Sequence, residues 1–250
     1  MKRPFSALLA AWVFLTRIPL PSAKLNERDF EAAPGFYPLV GLAIGSLGAA
    51  GFALGWAIGG AFIAAICATA ATLLATGAFH EDGLADLFDG LGAPTAMRMM
   101  EIMRDSRLGT FGAAALVIAL LMKIAALAQM PLAWALLALP LAHGISRLSA
   151  VLVIATSRYA RAEGIAKPVA KGIATGPLVV AITTGLAAIC AGLFVFGVWP
   201  TVLGVVGLTV GHVATRLLFE RKLGGYTGDC LGAVQQVGEI GFYLGLIAWL

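Results

Sequence analysis

An all-α, polytopic transmembrane helix bundle of about seven spans, with an N-terminal amphipathic helix at the membrane interface, is the fold class this sequence predicts. Three observations predict it. Of the 250 residues, 60% are apolar and 12% charged, whereas water-soluble domains use about 25% charged residues to cover their surfaces. Apolar stretches near the ~20 residues that cross a ~30 Å hydrocarbon core recur along the chain. The ionic residues between them fall in every second connection. The same composition excludes disorder, a disulfide scaffold and a nucleic-acid-binding domain. Residues 1–250 are read as one integral membrane domain.

In order, residues 1–20 have a basic start and an apolar middle, but Arg17 and two prolines interrupt them and no Ala-x-Ala site follows. An interfacial helix is expected there, not a cleaved signal peptide. Spans are expected at 36–58, 61–79, 110–129, 132–155, 177–197, 200–218 and 232–250. Gly41, Gly45, Gly48, Gly51, Gly55 and Gly59 in the first span allow close helix contact. The connections at 59–60, 130–131 and 198–200 are short and uncharged. The other connections hold 15 of the 17 basic residues and 12 of the 13 acids, leaving Lys123, Arg147 and Glu239 for the spans. By the positive-inside rule the charged side is cytoplasmic. An odd span count sends Leu250 to the opposite side. Cys67, Cys190 and Cys230 form no CxxC pair and are assigned to packing.

The block from His80 to Gly90 reads HEDGLADLFDG and carries four carboxylates. On a helix of ~100° per residue, Asp82, Asp86 and Asp89 fall within ~60° of one another, while His80 and Glu81 point elsewhere. Carboxylates so close raise each other's pKa unless a cation neutralises them, and oxygen ligands suit Mg²⁺ or Mn²⁺. The alternative is a solvated acidic helix end. Glu81 is a further candidate metal ligand beside them. His80 is a candidate base or ligand, or a hydrogen-bonded structural residue.

A second block, Met103 to Gly112, brings Arg104 and Arg107 within reach of one phosphate and adds the carboxylate of Asp105 as a further metal ligand. Positive-inside anchoring is the competing reading. In a third block, Gly224 to Ala233, four glycines free the backbone N–H groups that cradle phosphates. Gly225, Thr227 and Gly228 are its substrate-binding candidates and Asp229 a metal ligand; a flexible turn is the alternative. Arg147, near His143, is placed to meet a substrate phosphate or a carboxylate within the bundle, and Lys123 to pair inside it.

These blocks, with Thr16-Arg17-Ile18-Pro19 and with Pro38-Leu39-Val40-Gly41 followed by Gly45, resemble in order the adenosylcobinamide-GDP ribazoletransferases, also known as cobalamin synthases. The resemblance spans the whole chain. It implies an inner-membrane, Mg²⁺-dependent enzyme that joins adenosylcobinamide-GDP to α-ribazole, or to its 5′-phosphate, and releases GMP. The lipid bilayer is its surroundings, and a homo-oligomer is left open. One departure is Ala166, where a second glycine is expected. The acidic block also looks like that of CDP-alcohol phosphotransferases, but the Ala-Arg pair and spacing of that family are missing. In the reaction so implied, Asp82, Asp86, Asp89 and Asp229 hold metal, Arg104 and Arg107 bind the pyrophosphate, and Asp89, or else His80, takes the hydroxyl proton. A transporter of a small anionic substrate is the rival from another class. It predicts polar groups at the midplane in two matching halves, and no internal repeat is found.

Overall fold

A computed structural model describes residues 3–20, 24–160 and 172–250. The third charged loop, with Arg161, Ala166, Lys167 and Lys171, lies outside the described residues, as does Lys2. The first helix, α1 (Arg3–Leu15), is ~20 Å long and so too short to span a bilayer. It buries Ala7, Ala10, Ala11 and Leu15 and leaves Phe5 and Val13 exposed, as an interfacial helix does. It packs on α2 (Glu27–Ala32) and the 3-10 turn Ala33–Phe36. Asn26 and Asp29 close the start of α2 with a reciprocal capping box.

Next comes α3 (Tyr37–Thr76), whose 40 residues would reach twice across a membrane if straight. It does not run straight. Gly59 and Gly60 leave helical geometry, Gly60 at φ +74°, and the chain folds back into a hairpin. The arms touch at backbone distance: a Cβ on Gly55 would lie 2.7 Å from Ala64 Cα, and one on Gly51 would lie 2.8 Å from the Cys67 carbonyl. The two spans expected around the 59–60 turn are therefore present. The second ends at Thr76, before the predicted 79, because Gly77 and Ala78 both adopt left-handed φ and turn the chain into α4 (Phe79–Leu91).

After α5 (Ala96–Ile102) come α6 (Thr110–Gln129), α7 (Leu132–Thr156), α8 (Thr175–Phe196), α9 (Val198–Leu223) and α10 (Gly228–Ile247). With the α3 hairpin counted twice, seven spans result among the described residues, as expected. The last begins earlier than predicted, so Gly228 to Ala233 are helical, not loop. In α7, 83% of the most apolar stretch is buried within the protein, and in α10 67%, against 22–28% in the other spans. These two helices form the core and the others face lipid. Small residues set the spacing: Gly207 of α9 meets the backbone of Gly241 in α10, and Gly41 and Gly45 of α3 meet the carbonyls of His143 and Leu139 in α7.

The charged connections share one end of the bundle. Lys222 Nζ donates to the carbonyls of Leu91 and Ala93, Arg216 Nη1 to Thr156 Oγ1 at 2.8 Å, and Arg158 Nε to the Gly224 carbonyl.

Candidate active site

The site is built around α4, which meets the first turn of α10 through glycines. A Cβ on Gly83 would lie 2.8 Å from the Asp229 carbonyl, and one on Gly232 would lie 2.9 Å from the His80 carbonyl. On its other side Gly112, in the first turn of α6, contacts the Ala85 carbonyl at 2.8 Å from its would-be Cβ. Backbones this close fix the azimuth of α4. Its aspartate face turns outward, with Asp82 exposed and Asp86 and Asp89 half-buried, while His80 and Glu81 turn inward and are buried. That is the division of faces expected from the sequence.

The outward face meets two clefts. Asp82 and Asp86 line a polar cleft of ≈ 580 Å³ with Glu81, Arg17, Arg104 and Arg107. Asp89 does not join them; it lines a smaller cleft of ≈ 240 Å³ with Arg98, Glu101, Asp105 and Arg107. Both Asp89 oxygens are engaged, accepting from Gly109 N at 2.8 Å and Gly112 N at 2.7 Å. The carboxylate thus caps α6 from a neighbouring helix, at the positive end of that helix's dipole. The three aspartates share a helix face without sharing a cavity. Among the described residues no three His, Cys, Asp or Glu side chains converge on one point.

Arg107 grips Asp105 with two nitrogens, Nη2 at 2.6 Å and Nε at 3.0 Å. This hydrogen bonding pushes the Asp105 carboxyl down to about 2. The two residues sit together on the rim, while Arg104 stands exposed in the polar cleft.

The glycine block divides. Gly224 to Tyr226 pair with residues 158–160: Tyr226 N donates to the Arg158 carbonyl at 2.9 Å and Ala160 N to the Tyr226 carbonyl at 2.8 Å. Gly225 faces Arg158, so this half packs against residues 158–160 at the end of α7. Thr227 is the N-cap of α10, its Oγ1 accepting from Cys230 N. Gly228 and Asp229 do reach a cavity. It is an interior chamber of ≈ 500 Å³, lined also by Thr16, Arg17, Tyr37, His80, Asp82, Arg147 and Gln235. Arg17, Phe79 and Asp82 line both this chamber and the polar cleft, and form the wall between them. Burial, helped by the nearby Arg147 charge, holds the His80 imidazole well below its usual range, so it is neutral at pH 7.

Beneath the chamber lies a charge network that sequence reading found only in part. Lys123 Nζ lies 3.0 Å from Glu239 Oε1, 3.8 Å from Glu81 Oε1 and 2.9 Å from Gln236 Oε1. Glu239 also faces His143 Nε2 at 3.3 Å and accepts from Gln235 Nε2 at 2.6 Å. Arg147 Nη1 reaches His143 Nδ1 at 3.1 Å and the His143 carbonyl at 2.9 Å. The expectation that Lys123 pairs inside the bundle and that Arg147 lies near His143 is met. Glu239, Gln235 and Gln236 were missed as site residues. Their signal was two amides and a carboxylate within one turn of an otherwise apolar span.

A seven-span helical bundle whose carboxylates and guanidiniums meet in cavities at one end defines a class, the polytopic membrane enzymes. Comparison narrows it. The family model described as cobalamin-5-phosphate synthase matches residues 7–247. The adenosylcobinamide-GDP ribazoletransferase of Ralstonia nicotianae is 41% identical over 254 residues, 97% of this chain and 96% of the relative. The protein of the same name from Escherichia coli is 40% identical over 256 residues, covering 99% of this chain and all of the relative. No solved structure matches. The chain belongs to the cobalamin-5-phosphate synthase family, and is a membrane-embedded transferase of cobalamin biosynthesis.

Proposed function

We propose that the chain joins adenosylcobinamide-GDP to α-ribazole or its 5′-phosphate, releasing GMP, at the cytoplasmic face of the inner membrane and with Mg²⁺. The names of the relatives support the substrates. The observation that carries the reading is the shared wall: Asp82 and Arg17 line at once a polar cleft suited to a pyrophosphate and a chamber suited to an acceptor.

Mg²⁺ is usually held by one or two carboxylates, its other positions going to water and substrate phosphate oxygens. The donor set fits that habit, since Asp82 and Asp86 are one helical turn apart on the same cleft and Asp229 lines the adjoining chamber with Asp82. Asp82 with one of its neighbours, Asp86 in the cleft or Asp229 in the chamber, would hold the ion, which when bound would neutralise charge developing on the departing phosphate. Arg104 and Arg17 bind the pyrophosphate oxygens from the cleft side. A ribazole hydroxyl oxygen forms the new bond to the cobinamide-linked phosphorus. The bond to the GMP phosphate breaks, and its electron pair leaves with GMP. The hydroxyl proton passes to a carboxylate that lines the chamber, Asp82 or Asp229. Asp89, with both oxygens held by backbone N–H groups, acts instead by positioning α6. His80, a weak base when buried, serves as a hydrogen-bonding partner.

GMP release from adenosylcobinamide-GDP plus α-ribazole, with and without Mg²⁺, in detergent-solubilised protein tests this reading. Asp82→Asn and Asp86→Asn are expected to lower turnover by at least about a hundredfold while the protein still inserts, the loss typical of removing one electrostatic group from a transition state. Near-normal activity in either variant would refute it.

A further inference from the structure

Away from the aspartates, a groove runs between two of the lipid-facing helices. Helices α6 and α9 both pack on α10 and hardly touch each other. The gap between them is a groove of ≈ 550 Å³, lined by all three and by Leu84 and Phe88 of α4. Gly207 and Gly211 of α9 lie against the α10 backbone and add no side chain to fill it. Ile118 of α6 and Val210 of α9 stand exposed along it, at 57% and 61%. Every lining residue is apolar, so the groove offers nothing to a phosphate, a sugar or a metal ion. In a membrane it takes hydrocarbon, either a lipid chain or the side chains of another protein.

Depth and charge decide between the two. At ~1.5 Å per residue, Gly211 lies ~17 Å along α9 from Lys222, and Gly207 ~22 Å. Half of a hydrocarbon core is ~15 Å, so the groove sits near the midplane, where an acyl chain rooted in the leaflet at the charged end finishes. Between groove and charged end, Ala214 and Leu218 continue an exposed apolar track along α9. Two cations stand at the head of that track. Around the helix, at ~100° per residue, Arg221 falls ~40° to one side of Gly207 and Lys222 ~60° to the other. Lys222 Nζ donates to the carbonyls of Leu91 and Ala93, just past Phe88, which puts the ammonium beside the helix whose Phe88 lines the groove. Arg221 is exposed, and among the described residues neither cation is paired with a carboxylate.

We infer that the groove holds an acyl chain of an anionic phospholipid from the leaflet at the charged end, with the lipid phosphate meeting Arg221 and Lys222. Basic side chains at headgroup level above an apolar groove are the complement of such a lipid. A second copy of the chain fits less well. Copies related by a two-fold axis along the membrane normal meet at equal depth, so this face would bring two Arg221 and two Lys222 together. The bound chain backs α4 on the side away from Asp82 and Asp86.

Native mass spectrometry of the full-length protein in detergent, titrated with phosphatidylglycerol or with phosphatidylcholine of the same acyl chains, tests it. Wild type is expected to take up one phosphatidylglycerol per chain saturably, about twentyfold more tightly than phosphatidylcholine, the preference that two cations supply. Arg221→Gln is expected to weaken phosphatidylglycerol about fivefold and to leave phosphatidylcholine unchanged. Ala115→Phe, which fills the groove from α6, is expected to abolish the saturable site for both lipids, whereas Leu186→Phe, on the exposed face of α8, changes neither. Arg221→Gln carries the test alone if Ala115→Phe does not fold. Equal affinity for the two lipids overturns the inference, as does wild-type binding of phosphatidylglycerol in Arg221→Gln or in folded Ala115→Phe. A lipid-free dimer that Ala115→Phe separates would overturn it too, by giving the groove to a second copy.

Discussion

At the scale of single residues, the interior turns on Glu239. It has no exposed surface, and its oxygens answer Lys123, His143 and Gln235 together. Glu239→Gln keeps the volume but leaves the buried Lys123 ammonium, still bonded to the neutral Gln236 oxygen, with Glu81 at 3.8 Å as its remaining carboxylate among the described residues. Breaking one side of a buried ion pair costs about 3–5 kcal/mol, because the surviving charge stays desolvated. A marked fall in the thermal unfolding midpoint is therefore expected in detergent, with partial recovery when Lys123→Met is added. A single variant as stable as wild type would show that the network contributes nothing. The sequence marked Lys123 and Arg147 as charges in need of partners, and put Asp82 and Asp86 on one face. It could not show that Glu239 answers Lys123, because α6 and α10 bring those two residues to one level only on packing, or that Arg147 turns to His143. Asp89 was legible as a member of the acidic face, but not as the cap of a helix twenty residues further on.

Among the elements, the spans were legible where polar or turn residues bracket an apolar run. The 110–129 span matches α6, which starts after Gly109 and ends before Pro131. The hairpin at Gly59 and Gly60 was readable from its length and lack of charge. The start of α10 was not, because four glycines in ten residues read as loop when each costs ~1 kcal/mol relative to Ala in a helix interior. Gly232 is helical because it lets the His80 backbone approach, a gain that exists only once α4 is in place. The same logic predicts the outcome of Gly207→Ala. A Cβ there would overlap the Gly241 carbonyl, which is backbone and cannot swing aside, so α9 and α10 must part. Since α10 carries Asp229, Gln235 and Glu239, both the unfolding midpoint and GMP release are expected to fall. Gly92→Ala is the control, at helical φ −70° with open space around its Cβ, and leaves both unchanged. A Gly207 variant indistinguishable from that control would mean that the two helices are not held by this contact.

For the whole molecule, two independent markers agree on where the membrane surfaces lie. One end gathers the acidic helix, the Arg104–Arg107 rim and the Lys222 contacts. The other is marked by tryptophan: four of the five, Trp56, Trp134, Trp199 and Trp249, sit within five residues of the turns at 59–60, 130–131 and 197–198 or of the C-terminus. Tryptophan concentrates where hydrocarbon meets headgroup, so these residues define the second interface without reference to charge. In the proposed orientation, with Lys and Arg retained on the cytoplasmic side, the charged end faces inward. Seven spans from there carry Leu250 outward. Alkaline phosphatase fused after Leu250 is accordingly expected to be active, and a cysteine placed at the exposed Gln129 to react with an impermeant maleimide added to intact cells, while one at Ser106 does not. The same orientation decides which vesicles turn over added adenosylcobinamide-GDP. Inverted membranes present the polar cleft to the medium and release GMP, whereas sealed right-side-out vesicles do so only after permeabilisation. Equal rates from both kinds of sealed vesicle would mean that the substrates reach the chamber from the tryptophan end, and the cleft beside Asp82 would cease to be the entrance.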